Sequence, residues 1–230
     1  MLKKILIKLN IVRKWLRSFF TSMPWSVILF NKYYYRSADK IYRDTRWLGV
    51  QTLKPPTDLW TYQEIIFEVR PDIIIECGTY LGGSAFFLAN IFDLIGQGRV
   101  ITVDIVYQSN WPKHDRIEYL TGSSVDDQMI KLIKSKIAPG DKVLVILDSN
   151  HRRDHVFKEM EFYGQLVTKG SYLIVEDTNI NGHPVYPSFG PGPMEAVNKF
   201  LSSHLEFKID SRRDKFGLSF NPRGYLKKIN

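Results

Sequence analysis

The order of apolar and amphipathic segments predicts an α/β protein built on a doubly wound, mostly parallel sheet. An N-terminal helical extension and a C-terminal antiparallel β-hairpin complete the expected architecture. Three observations carry this prediction. Short aliphatic, β-branched runs alternate with longer helical segments. The first run enters a glycine-rich turn, IIIECGTYLGGSA. Later runs close on acids, where an open α/β sheet presents the carboxyl ends of its strands to a ligand.

Taken in order, residues 1–31 carry six basic residues and no acid, against a net charge of +8 for all 230 residues. Leu2, Ile5, Leu6, Leu9, Val12, Leu16 and Phe19 recur there at helical spacing, so a basic amphipathic helix is expected. Its charges interrupt the apolar stripe too often for a membrane span, and no cleavage pattern follows it. It is suited to lie on an anionic membrane surface, or to pack on its own domain or on a second subunit. Residues 23–60, with Tyr33-Tyr34-Tyr35, Trp47 and the turn Lys54-Pro55-Pro56, read as an irregular or helical lid and oligomerisation segment. The boundary to the main domain is placed at 57/58. A helix over Trp60–Val69, capped by Thr57 or Asp58, leads to Arg70-Pro71-Asp72, which breaks it.

The expected strands are Ile73–Cys77, Val100–Asp104, Ile117–Thr121, Val143–Asp148 and Tyr172–Glu176. Helices are expected over Ser84–Ile95, Asp126–Ile137, His155–Val167 and Met194–Ser203. Residues 180–193, INGHPVYPSFGPGP, are too rich in glycine and proline for regular structure and read as a lid loop. The hairpin is expected from Phe207–Asp210 and Gly217–Phe220. The single cysteine, Cys77, excludes an intramolecular disulfide and suits a reducing, cytoplasmic compartment, with peripheral membrane contact through the basic helix. Because most of the excess positive charge lies in the N-terminal segment, no nucleic-acid-binding face is expected on the core.

Asp148, Glu176 and Asp177 end neighbouring strands, so three carboxylates should converge and require a cation. Oxygen ligands suit Mg²⁺, Ca²⁺ or Mn²⁺. The glycine turn lacks the spacing of a dinucleotide fingerprint. Glu76 on the strand before it suits a cationic ligand better than a pyrophosphate. S-adenosylmethionine, with an amino group and a sulfonium, fits such an acid, and Asp104 at the next strand end is placed to accept ribose hydroxyls.

These strings resemble a known family. PDIIIECGTYLGGSA, preceded by DLWTYQE, is similar to the cephalosporin hydroxylase family, which is related to metal-dependent macrolide and rhamnosyl O-methyltransferases. The likeness continues through VITVDI, GSSVD, LDSNHRRDHV, VEDTN, GPGPMEAV and FGLSFNPRGYL, and spans residues 45–230. It implies the class I methyltransferase (Rossmann-like) sheet for residues 58–230. It also implies S-adenosylmethionine contacts from Glu76, Gly78, Asp104 and Ser123 or Ser124, with Thr79, Tyr80, Gly82, Ser84 and Asp148 beside them. Asp148, Glu176 and Asp177 would bind Mg²⁺ (or Mn²⁺), and His151 would be the catalytic base.

The expected reaction is methylation of a hydroxyl of a sugar or glycosylated metabolite. Three acids leave three octahedral positions open, enough for two adjacent substrate oxygens, so an acceptor with vicinal hydroxyls is expected. His183, Tyr186 and Phe189 of the lid loop are candidate substrate contacts. His155 reads as a structural or supporting residue, and His114 and His204 as surface residues. Two other readings compete: an iron oxygenase using His151, Asp148 and one further acid, and a non-catalytic membrane-associated module of the same fold.

Overall fold

The computed structural model describes residues 24–230, together with Lys8, Val12 and Arg13, which are helical. The rest of the expected basic helix lies outside the described residues. Among the described residues no helix is long and apolar enough to cross a membrane.

Seven strands form one sheet: β3 (Ile73–Cys77), β4 (Arg99–Asp104), β5 (Ile117–Thr121), β6 (Val143–Leu147), β7 (Tyr172–Val175), β8 (Phe207–Ile209) and β9 (Tyr225–Lys228). The order is β5-β4-β3-β6-β7-β9-β8, parallel from β5 to β7, with β9 antiparallel to both neighbours. The five expected parallel strands are all present, shifted by at most one residue at an end. The chain reverses its winding at β3, so β3 and β6 open a crevice at their carboxyl ends.

Side chains alternate across the sheet with period two. Ile73, Ile75 and Cys77 join Val145 and Leu147 on one face, under α4 (Asp127–Ser135), α5 (Arg153–Tyr163) and α6 (Pro193–Leu201). Ile74, Leu144, Ile146 and Ile174 meet α2 (Pro56–Val69) and α3 (Gly83–Ile95) on the other. Every residue of β3 and β6 is buried, the signature of a strand covered on both sides.

Three expectations need correction. Helix α2 starts at Pro56, because Pro55 and Pro56 supply the N-terminal geometry and neither Thr57 nor Asp58 acts as its cap. Asp58 is buried and accepts instead from Phe220 N (2.9 Å) and Tyr225 Oη (3.0 Å). The second strand of the terminal hairpin is β9, not Gly217–Phe220, whose Phe220 is drawn away to Asp58 and to Asn179 N. His114 and His204 are largely covered, with His114 Nε2 3.0 Å from Asp93 and the His204 ring stacked on Phe200.

The segment before α2 is more ordered than its composition suggests. It holds α1 (Trp25–Arg36), two 3₁₀ turns and a two-residue ribbon, β1 (Arg46–Trp47) with β2 (Val50–Gln51). Tyr34, Tyr35 and Tyr42 pack around Phe220, and Trp47 meets Phe87 edge-on.

Candidate active site

The carboxyl ends of β3, β4, β6 and β7 surround a cavity of about 720 Å³. Its floor begins at Gly78 (φ +100°), where a Cβ would collide with the carbonyl of Asp148. Only glycine lets β3 and β6 end so close together. Gly83 is closed in the same way by the Gln51 carbonyl of β2, which seats the start of α3 beneath the ribbon. Between them Tyr80 adopts φ +47°, and its amide donates to Asp104 Oδ2 at 2.8 Å. Asp104 Oδ1 accepts from Val106 N at 3.0 Å, so Asp104 both fastens the turn and faces the cavity.

Adjacent residues of a strand point to opposite faces, so Glu176 and Asp177 would diverge in continued β-structure. Asp177 instead adopts φ +53°, and both side chains line the cavity. Such left-handed non-glycine residues are costly and gather where a site needs them. Asp148, whose amide is held by the Cys77 carbonyl at 2.7 Å, meets them from β6. His151 Nε2 lies 3.0 Å from Asp177 Oδ2. One ligand-type atom each from Asp148, His151 and Asp177 falls within 4.8 Å of the others.

Glu176 is only 5% exposed and has other partners. Lys54 Nζ lies 2.5 Å from both of its oxygens and 2.8 Å from Asp148 Oδ2. Tyr62 donates to Glu176 Oε1 at 2.6 Å and accepts from Asn221 Nδ2 at 3.0 Å. Asn221 Oδ1 in turn accepts from Asp177 N at 3.1 Å. Burial, then repulsion by Asp148, drives the Glu176 carboxyl well above its ordinary range against Lys54 and Tyr62. Desolvation also raises Asp177, with His151 opposing and Asp148 reinforcing the shift. Burial alone would lower the Lys54 ammonium, but Asp148, Glu176 and Glu76 outweigh it and raise it. Three acids crowded around one ammonium, two of them pushed up by burial, make an oxygen donor set that fits a hard divalent cation, whose charge would favour their ionised forms.

The cavity wall contains Gly78, Thr79, Tyr80, Ser84, Asp104, Ser123, Ser124, Asp148, Glu176, Asp177 and His151. Glu76 and Gly82 sit behind it. Glu76 is fully buried, accepts from Thr102 Oγ1 at 2.7 Å and leaves Oε1 without a partner. Desolvation lifts it to about 7, against Lys54, Ser84 and Thr102. An unpartnered buried carboxylate oxygen beside a turn closed to any Cβ fits a site made for a polar, cationic group. Tyr186 and Phe189 reach the cavity from the lid loop, their rings edge-to-face at 5.5 Å. His183 does not; its Nε2 lies 2.9 Å from Glu195 Oε1, tying the loop to the first turn of α6. His155 lies near Ser149 Oγ (3.2 Å) and the buried Glu159, on the cavity's far wall.

Lys54 is the residue that sequence reasoning misses. It stands in a proline turn with no motif, and its partners lie 94 and 122 positions away.

A sheet of this order, with a glycine-rich turn after its central strand and acids closing the strands around the crevice, defines the class I methyltransferase-like fold. Solved structures agree. CmcI with Mg and SAM superposes with TM-score 0.65 at 21% identity, covering 83% of this chain and 78% of that one. An O-methyltransferase from Bacillus cereus in complex with SAH gives TM-score 0.53 at 16% identity, covering 88% and 90%. Residues 39–229 match the family model described as Rhamnosyl O-methyltransferase/CmcI, and the chain belongs to that family. The rhamnosyl O-methyltransferase of Mycobacterium tuberculosis (strain H37Rv) is 40% identical over 206 residues, covering 86% of this chain and 82% of the relative. That of Mycobacterium leprae is 39% identical over 209 residues, covering 86% and 88%.

Proposed function

We propose that this protein is an S-adenosylmethionine- and Mg²⁺-dependent O-methyltransferase acting on a sugar hydroxyl. The carrying observation is the meeting of His151 with Asp148 and Asp177 at one end of the cavity that the glycine turn and Asp104 line. The named relatives support the reaction and the sugar class; CmcI with Mg and SAM supports the fold.

Bound there, S-adenosylmethionine would supply a methyl group on a sulfonium, and a cation would lower the pKa of an acceptor oxygen beside it. The remaining work belongs to the chain. Asp148 and Asp177 would hold the cation, with Glu176 beside them carrying the Lys54 ammonium. Asp104 keeps lone pairs for ribose hydroxyls beyond its two backbone partners. His151 takes the proton of the acceptor hydroxyl on Nδ1, while Nε2 donates to Asp177, which orients the ring and steadies the positive charge that results. Tyr186 and Phe189 cover the mouth and keep water from competing. An acceptor with two adjacent hydroxyls suits the site, one methylated and one bound beside it.

Within residues 1–57, the part before the ribbon and the Lys54 turn reads as a contact segment. Helix α1 presents Leu29, Phe30 and Tyr33 at 49–62% exposure next to the strongly basic N-terminal stretch, a composition suited to an anionic membrane face on the cytoplasmic side or to a second subunit. Deleting residues 1–22 should abolish co-sedimentation with anionic vesicles; retention would assign the stretch to subunit contact.

Calorimetric titration of S-adenosylmethionine, with Mg²⁺ and with chelator, tests the main reading. Stoichiometric binding is expected. No heat under either condition would sink it. Mono-deoxy acceptors should then show a raised KM or lowered kcat, and unchanged kinetics would remove the vicinal-diol requirement.

A further inference from the structure

The geometry points to Lys54 as a resident counter-ion that competes with the divalent cation for Asp148. Metal affinity is then set by loosening an internal ammonium from that carboxylate. The inference rests on the metal-site reading above and goes beyond it.

Asp148 is the shared residue. It belongs to the group of Asp148, His151 and Asp177 whose ligand atoms lie within 4.8 Å, and it also accepts Lys54 Nζ at 2.8 Å. Glu176 lies outside that group and is saturated by Lys54 on both oxygens and by Tyr62 on one. Lys54 cannot retreat to solvent, since its side chain is 4% exposed. Its backbone is fixed as well: the amide donates to the Thr52 carbonyl at 2.9 Å, and Pro55 follows it into α2. The ammonium therefore stays on Glu176 when Asp148 turns to the metal.

Charge favours this arrangement over expulsion of the lysine. With Lys54 on Glu176 and a dication on Asp148 and Asp177, three negative charges meet three positive ones in a place poorly screened by water. Without metal, Lys54 is what keeps Asp148 and Glu176 compatible with folding, because a buried carboxylate needs a partner. The same residue must then oppose the metal, as one positive charge opposes another at short range.

The test measures Mg²⁺ and Mn²⁺ affinity by calorimetry, without acceptor, for the wild type, Lys54→Met and Lys54→Arg. Lys54→Met should bind either ion at least about tenfold more tightly, the scale of effect a neighbouring charge has on an ionic equilibrium. Its metal-free melting temperature should fall below the wild type's in chelator, and saturating Mg²⁺ should close that gap. Lys54→Arg, whose planar guanidinium grips carboxylates more firmly, should bind metal more weakly; it also serves if Lys54→Met does not fold. Equal or weaker affinity in Lys54→Met, or wild-type affinity in Lys54→Arg, overturns the competition while leaving the metal site standing. Absence of divalent binding in all three proteins overturns the metal-site reading and this inference together.

Discussion

At the scale of single residues, the site works by forcing unlike demands on neighbours. Glu76 shows it most plainly. Its carboxyl rises from its ordinary value of 4.5 to about 7 because burial disfavours its charge. A raised acid is neutral in the fold while ionised in the unfolded chain, so its contribution falls as pH climbs from 4.5 toward 7 and stays lost above. The penalty is roughly 3 kcal/mol at about 1.4 kcal/mol per unit. Glu76→Gln should therefore melt higher than wild type at pH 8 and equally at pH 4.5, while binding S-adenosylmethionine more weakly. An unchanged difference across that range would mean Glu76 is not the titrating group. His151→Ala should lower kcat by about 10²–10⁴-fold with little effect on cofactor affinity; parallel loss of both in a methyl-transfer assay and a titration would make His151 a binding residue. The convergence of Asp148, Glu176 and Asp177 on one cavity is legible because strand ends face the ligand crevice in open sheets, whereas His151 stands out only through the family resemblance. Lys54 is not legible, since a lone lysine in a proline turn has no pattern and acquires its meaning only from distant partners. His183 shares the lid loop with Tyr186 and Phe189, and only its contact with Glu195, which no pattern in the sequence signals, separates it from the cavity.

At the scale of elements, β3, β6 and β7 are legible to within a residue because burial on both faces leaves an unbroken apolar run. Helix starts were harder. α2 begins at prolines that look like a turn, and Asp58 resembles a cap while serving a buried contact. Asp126 does cap α4, accepting from Gln128 N at 2.8 Å and Met129 N at 3.2 Å. Asp126→Ala should cost about 1 kcal/mol in urea unfolding, the usual loss of a side-chain cap. Since Met129, Ile130 and Ile133 turn α4 into the hydrophobic core rather than toward the acids, metal affinity should not move. β9 escaped sequence reading because YLKK is short and half charged, whereas Gly217–Phe220 offered the stronger apolar alternation.

At the scale of the whole molecule, the two cores are joined through the sheet, and β9 stands between β7 and β8 in it. Leu226 on β9 is fully buried in the core beneath α5 and α6. Leu226→Ala should cost about 2–5 kcal/mol, the range for a large core side chain cut to alanine. A chemical-denaturation midpoint unchanged by it would mean the sheet tolerates loss of β9 packing. Cofactor and cation, binding only the folded chain, should recover part of that loss in proportion to the logarithm of their concentration.

The placement of β9 also has a temporal side. Asn221, just before β9, holds both the Tyr62 hydroxyl that reaches Glu176 and the Asp177 amide. On the ribosome, Glu176 and Asp177 are made well before the residue that sets them. Until Asn221 is made, Glu176 and Asp177 lack the amide that holds the Tyr62 hydroxyl and the Asp177 backbone. Competence to transfer a methyl group thus arrives late in synthesis, and a message broken before codon 221 encodes a sheet without a finished catalyst.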